Sequence, residues 1–102
     1  MIHHIVLFRL ADKDGRTAAE WAAEGKIRAE SLRTTVPGAE TLQVFLNMPA
    51  ADAGNYHLML HGVFADGTAL KTYAVHEKHL EFVAFIRSVL AENGRACIDY
   101  TE

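Results

Sequence analysis

The chain has a single cysteine, Cys97, among its 102 residues. No intrachain disulfide can form, so stability has to come from a packed core, and a reducing cytoplasm fits that chemistry. Concentrated basic charge is also missing. Ten lysines and arginines are scattered among thirteen acidic residues, for a formal charge of −3. Nucleic acid and anionic membrane surfaces both call for a clustered basic face, so neither is an expected partner. No long hydrophobic run is present. The apolar start, Met1 to Phe8, ends at Arg9 and lacks a basic leader and a cleavage site. It reads as a buried strand, not a signal peptide or a membrane span. There is no HExxH, and no second cysteine to pair as a metal ligand; His76-x-x-His79 alone is a weak zinc pattern, so no metal and no cofactor are expected. Internal repeats and low-complexity segments are absent.

Half of the residues are hydrophobic and 23% are charged, the balance of a globular protein. The length favours one domain, residues 1–102. Residues 2–10 are rich in branched and aromatic side chains and predict a strand. Alternation sends His4, Val6 and Phe8 to one face and His3, Ile5, Leu7 and Arg9 to the other. Thr17, with Glu20 three residues on, has the pattern of a capping box opening a helix. Trp21, Gly25, Arg28 or Ala29, Leu32 and Val36 follow as its apolar stripe. Gly25 on that stripe points to a close approach between helix and sheet. The charged residues Glu20, Glu24, Lys26, Arg28, Glu30 and Arg33 make its solvated face.

Val36-Pro37-Gly38 stops the helix. Residues 41–47 predict a second strand and residues 56–64 a third, where Gly62 marks a bulge or a near neighbour. Asp66 is the expected N-cap of a short helix through Tyr73. A further helix is expected from about Glu77 to Leu90, with His79, Val83, Ile86 and Leu90 on its inner stripe. Asn93-Gly94 reads as a helix stop. Residues 95–101 form a last strand, in which Cys97 is expected as a small apolar residue. Strand, helix, strand, strand, helix pair, strand is the split βαβ order of an α+β, ferredoxin-like fold with a four-stranded antiparallel sheet and helices on one face. The opposite sheet face also carries large apolar residues, and a second copy of the chain is the simplest cover for it.

Tyr73, His76 and His79 stand three residues apart just after the third strand. That spacing puts a phenol and two imidazoles on one side of a helix or helical turn. These groups can move protons near neutral pH without metal or organic cofactor. His79 would act as proton acceptor and Tyr73 as hydrogen-bond donor to a developing oxyanion. The alternative is a core role, with both rings filling space and bonding backbone. His76 fits a cap at the helix junction. His57 and His61 hold alternate positions of the third strand and should share a face; their register with His4 is open, and convergence with His79 would create metal-binding potential.

His4-Ile-Val-Leu-Phe8, Val36-Pro-Gly38, Tyr56, Phe64 with Asp66 and Leu70, Tyr73-x-x-His76-x-x-His79 and Asp99-Tyr100 occur in an order that resembles the stress-responsive dimeric A/B-barrel family, the Dabb domain. The likeness covers essentially the whole chain. It implies a homodimer in which two sheets pack face to face as a dimeric α/β barrel, each protomer keeping a pocket between sheet and helices that binds a small organic molecule. Some plant members are cofactor-independent polyketide cyclases that use a tyrosine and a histidine. By position these are Tyr73 and His79, with His4, Val6, Phe8 and His76 as expected ligand-binding residues. The resemblance thus allows either a binding protein or a cyclase, isomerase or monooxygenase acting on a polyketide-like or phenolic substrate. The family usually has proline after the first helical histidine. Here it is Glu77, which leaves the helix junction less firmly set.

Overall fold

A computed structural model describes all of residues 1–102. Its elements run β1 (Ile2–Leu10), α1 (Ala18–Thr35), β2 (Ala39–Leu46), β3 (Leu58–Phe64), α2 (Gly67–Val75), α3 (Glu77–Val89) and β4 (Leu90–Thr101). The four strands form one antiparallel sheet in the order β2-β3-β1-β4. This is the expected ferredoxin-like arrangement.

The alternation in β1 decides what lies under the helices. Val6, Phe8 and Leu10 are buried, together with Leu42 and Val44 of β2 and Leu58, Leu60 and Phe64 of β3. From the helices, Ala22, Ala29, Leu32, Tyr73, Phe82 and Ile86 close the core against them. The opposite sheet face has no helix and leaves Phe45, Ile98 and Tyr100 exposed.

Thr17 and Glu20 form a full capping box at the start of α1. The small residues Ala22, Gly25 and Ala29 then let this helix lie close to the sheet. A Cβ on Gly25 would stand 3.1 Å from a Leu58 methyl group. Gly62 behaves similarly, since a Cβ there would fall 2.8 Å from the Phe64 ring. Ile27 is exposed on the outer side of α1, whereas Phe85 packs at the edge of the core.

Two expectations near the C-terminus are corrected. α3 ends at Val89, and β4 begins at once with Leu90. Leu90 pairs with Leu10 and Arg95 with Phe8, so residues 91–94 bulge out between the two pairs. Asn93 takes the left-handed conformation there, φ 53°. A side chain on Gly94 would collide with the Arg9 carbonyl. Asn-Gly serves this bulge and not a helix stop; both need the same backbone freedom. The inner stripe of α3 is also rotated. Phe82, Ile86 and Val89 are its buried residues, while His79, Val83 and Leu90 of the expected stripe are half-buried beside them. Cys97 lies in the strand but is exposed.

Candidate functional site

Asp66 opens α2 by accepting a hydrogen bond from the Ala69 amide at 2.9 Å. At the other end of α2 the chain turns extended at His76, φ −64° and ψ 140°. The His76 ring then caps α3, its Nδ1 accepting from the Lys78 amide at 3.0 Å. The break between the two helices thus falls at a histidine cap. His79 reaches back across the break, with Nδ1 2.9 Å from the Ala74 carbonyl oxygen. A carbonyl only accepts, so Nδ1 carries the proton and Nε2 of the neutral ring keeps its lone pair. The contact also satisfies one of the carbonyls that α2 leaves open at its end.

The Tyr73 and His79 rings are 4.5 Å apart between centroids. Phe64 stands on the other side of Tyr73, at 5.2 Å. Tyr73 is 1% exposed, and its hydroxyl has no hydrogen-bond partner in the protein. Burial pushes the phenol's pKa upward, so it keeps its proton at neutral pH. His79 is shifted the other way. Desolvation lowers its pKa below the ordinary value, the Ala74 bond partly opposes this, and the nearby charge of His4 adds to the lowering.

His4 enters from β1. It lies opposite Asp99 in the β1–β4 register, and its Nδ1 is 2.5 Å from the Asp99 carboxylate. Nδ1 of His4 therefore holds a proton as well, and Nε2 is the nitrogen left free. Cys97 Sγ lies 3.7 Å from the same Nδ1. The three potential ligand atoms of His4, Cys97 and Asp99 fall within 4.8 Å of one another. A metal bound there would have to displace the Nδ1 proton that bridges His4 and Asp99.

A cavity of about 470 Å³ lies between the sheet and α2–α3. Its walls include His4, Val6 and Phe8 from β1, Tyr73 from α2 and His79 from α3. His76 is not among them; its side chain is committed to capping. Two arginines also border the cavity, Arg87 of α3 and Arg95 of β4. Sequence reasoning missed both, and took Asp99 only as part of the terminal motif. Arg87 follows His79 by two helical turns, a spacing visible in the sequence. Arg95 is placed by the register of β4 on β1, which is not.

The other histidines do not join this site. His61 lies on the helix-free face, with Nε2 2.9 Å from His3 Nδ1, and Tyr100 stacks on His3 at 4.7 Å. His57 precedes β3, and its Nδ1 accepts from the Leu10 amide at 3.0 Å. The convergence of His57 and His61 with His79 that would have made a metal site does not occur.

No curated protein matches the chain. Solved structures do. A dimeric protein of unknown function with a ferredoxin-like fold from Bacteroides fragilis shares 26% identity at a TM-score of 0.80, over 99% of this chain and 95% of that one. A Dabb family protein from Mesorhizobium loti shares 23% identity at a TM-score of 0.73, over 99% and 95%. A cofactor-independent oxygenase from Streptomyces nogalater shares 13% identity at a TM-score of 0.72, over 99% and 91%. The last two show likeness of fold. The family model described as the stress responsive A/B barrel domain matches residues 2–102. The chain belongs to the stress responsive A/B barrel domain family.

Proposed function

We propose that the protein binds a small organic molecule in the cavity between its sheet and helices, with Tyr73 and His79 engaging one oxygen of that molecule. The carrying observation is the packing of the Tyr73 and His79 rings, 4.5 Å apart, on the cavity wall; the Tyr73 hydroxyl is buried without a protein partner, and a ligand oxygen reaches it once the ring turns toward the cavity. A buried hydroxyl without an acceptor costs about 1–3 kcal/mol. A ligand carbonyl or phenolate oxygen would supply the acceptor. The cavity volume, about 470 Å³, lies within the usual range for small-molecule sites, roughly 300–1,000 Å³. Val6, Phe8 and Leu60 give it an apolar wall, and His4 lines it as well.

A second reading has its own support in the His79 tautomer. Nδ1 is held by Ala74, and desolvation keeps the ring neutral. Nε2 is thus a base beside a phenol that stays protonated. Opposed shifts in a neighbouring pair are the usual arrangement for acid–base work. In this reading the protein is a cofactor-independent cyclase, isomerase or monooxygenase. His79 would take a proton from a polyketide-like or phenolic substrate while Tyr73 stabilises the resulting oxyanion.

A second copy of the chain is the proposed cover for the helix-free sheet face, where Ile98 is 59% exposed and lies opposite Ile5 in the sheet register. The dimeric description of the Bacteroides fragilis relative supports that choice.

The test is a screen of enolisable carbonyl compounds and phenols against the wild type, His79→Ala and Ile98→Glu, read by thermal shift, turnover and light scattering. Binding without turnover, weakened by His79→Ala, supports the pocket. Turnover abolished by His79→Ala in an intact dimer supports the enzyme. Turnover that survives the change removes the acid–base role. Ile98→Glu should yield monomers; an undisturbed dimer would place the interface elsewhere.

A further inference from the structure

The two arginines on the cavity wall have no part in the site described so far. Neither Arg87 nor Arg95 makes an ion pair, and neither side chain makes a hydrogen bond to protein. Other arginines of the chain are engaged. Arg16 and Arg28 share Glu24, Arg33 pairs with Glu30, and Arg9 donates to the Gly54 carbonyl. No acidic side chain borders the cavity. Its charged complement is therefore two unopposed guanidinium groups.

Their placement along the cavity can be worked out twice. On the sheet side, Arg95 lies opposite Phe8, and Asp99 lies opposite His4. His4 and Phe8 are four residues apart, so His4 and the Arg95 pair are separated by about 13 Å of strand. On the helix side, Arg87 is eight residues beyond His79, about 12 Å along α3. Two independent walls give the same answer. The proton-handling groups His4, Tyr73 and His79 hold one end of the cavity, and Arg87 and Arg95 hold the other. Val6, Leu60, Phe82, Val83 and Ile86 lie among the lining residues between them.

We infer that the ligand is an amphiphile about 12 Å long, with an oxygen function at the Tyr73–His79 end and an anionic head at the Arg87–Arg95 end. This rests on the pocket reading above and names its ligand class. A planar guanidinium matches a carboxylate or a phosphate in two parallel hydrogen bonds. Two of them at one mouth select an acid over the neutral molecule of equal shape. Both arginines are exposed, so the attraction is screened by salt and acts on affinity and on capture from solution. The head is a carboxylate of the ligand itself or a phosphate of a carrier to which the acyl chain is attached; the guanidinium chemistry is shared.

Calorimetric titration of 9-oxodecanoate, 9-oxodecyl phosphate and the neutral 10-hydroxydecan-2-one into the wild type, Arg87→Gln and Arg95→Gln tests this. Both positions are on the surface, so the variants should fold. The expected result is anion binding about tenfold tighter than that of the neutral hydroxyketone at low salt, reduced roughly three- to tenfold by each substitution, with the hydroxyketone unaffected. The better of the two anions identifies the head group. If the hydroxyketone binds as tightly as the acids, or if both variants keep wild-type affinity for them, the anionic end is refuted while the pocket reading stands. If none of the three binds, the pocket reading falls and takes this inference with it.

Discussion

Tyr73→Phe should make the unliganded protein more stable and the functional protein worse. The side chain is 1% exposed, and its hydroxyl has no partner. The unfolded chain returns that hydroxyl to water, so the folded state carries a desolvation cost of about 1–3 kcal/mol. Phenylalanine keeps the ring, and with it the contacts to Phe64 and His79. The oxygen's own dispersion contacts are lost, a few tenths of a kcal/mol against that cost. The net expectation is a gain of about 1 kcal/mol, or roughly 4–8 °C in Tm for a domain of this size. Denaturation at pH 7 and matched protein concentration measures it, since an oligomer's Tm depends on concentration. Ligand affinity or turnover should fall in the same variant. A loss of 1 kcal/mol or more on Tyr73→Phe would mean that the hydroxyl is satisfied in the native state, and the argument for a ligand acceptor would fail.

The same residue makes an alkaline prediction. Burial holds its pKa above the ordinary 10.0. The unfolded phenol ionises first as pH rises, while the folded one keeps its proton. The stability linked to Tyr73 is thus complete below pH 10 and declines as pH rises above it. Tyr73→Phe should remove that part of the alkaline loss.

Three further outcomes are expected. His79 has a folded pKa below its ordinary 6.5, so the unfolded chain takes up the proton first on acidification. Its contribution is full above pH 6.5 and is lost as pH falls from there towards the folded value; denaturation curves of His79→Gln should show a flatter slope across that window. Gly38 has φ 116°, and a Cβ there would stand 2.6 Å from the Ala69 carbonyl oxygen. Gly38→Ala should therefore cost about 2 kcal/mol or more in urea unfolding and weaken ligand binding by moving α2. His76→Ala should cost about 1 kcal/mol through the lost cap, with Asn at this position recovering most of it. A ligand affinity that drops with His76→Ala beyond this loss of stability would restore the direct ligand role implied by family resemblance.

Local signals account for what the sequence disclosed. Thr17 and Glu20 announce the α1 start because both halves of a capping box lie within one turn. The Ile2–Leu10 alternation separates the two sheet faces without knowledge of any partner strand. Tyr73 and His79 were singled out by three-residue spacing and family motif, yet they meet across a break, one on α2 and the other on α3. What was hidden depends on register. His4 meets Asp99, and Arg95 meets Phe8, through the pairing of β1 with β4, and nothing in either segment states that pairing. The bulge at residues 91–94 was misread for a related reason: Asn-Gly reports left-handed backbone, not which element surrounds it. Phe82 was left off the inner stripe because, counted from His79, the three-residue step to Phe82 and the four-residue step to Val83 fit helical periodicity equally well, and only the packing against Phe8 chooses between them.

The break at His76 also ties the site to its support. His79 stands in the first turn of α3 but is anchored to Ala74 in the last turn of α2. Its Nε2 direction is therefore a property of the angle between two helices, not of either one. Asp66 holds the start of α2, Gly38 packs against its middle at Ala69 and Tyr73, and His76 holds the start of α3. Each of these can turn the imidazole without touching a ligand. A proline at position 77 would fix the junction through covalent restriction. With Glu77 there, the junction rests on hydrogen bonds: the His76 amide to the Tyr73 carbonyl, the Leu80 and Lys78 amides to the His76 carbonyl and ring, and the His79 ring to the Ala74 carbonyl. The His79 ring is thus aimed in part by a second imidazole three residues away, which caps α3 and does not line the cavity.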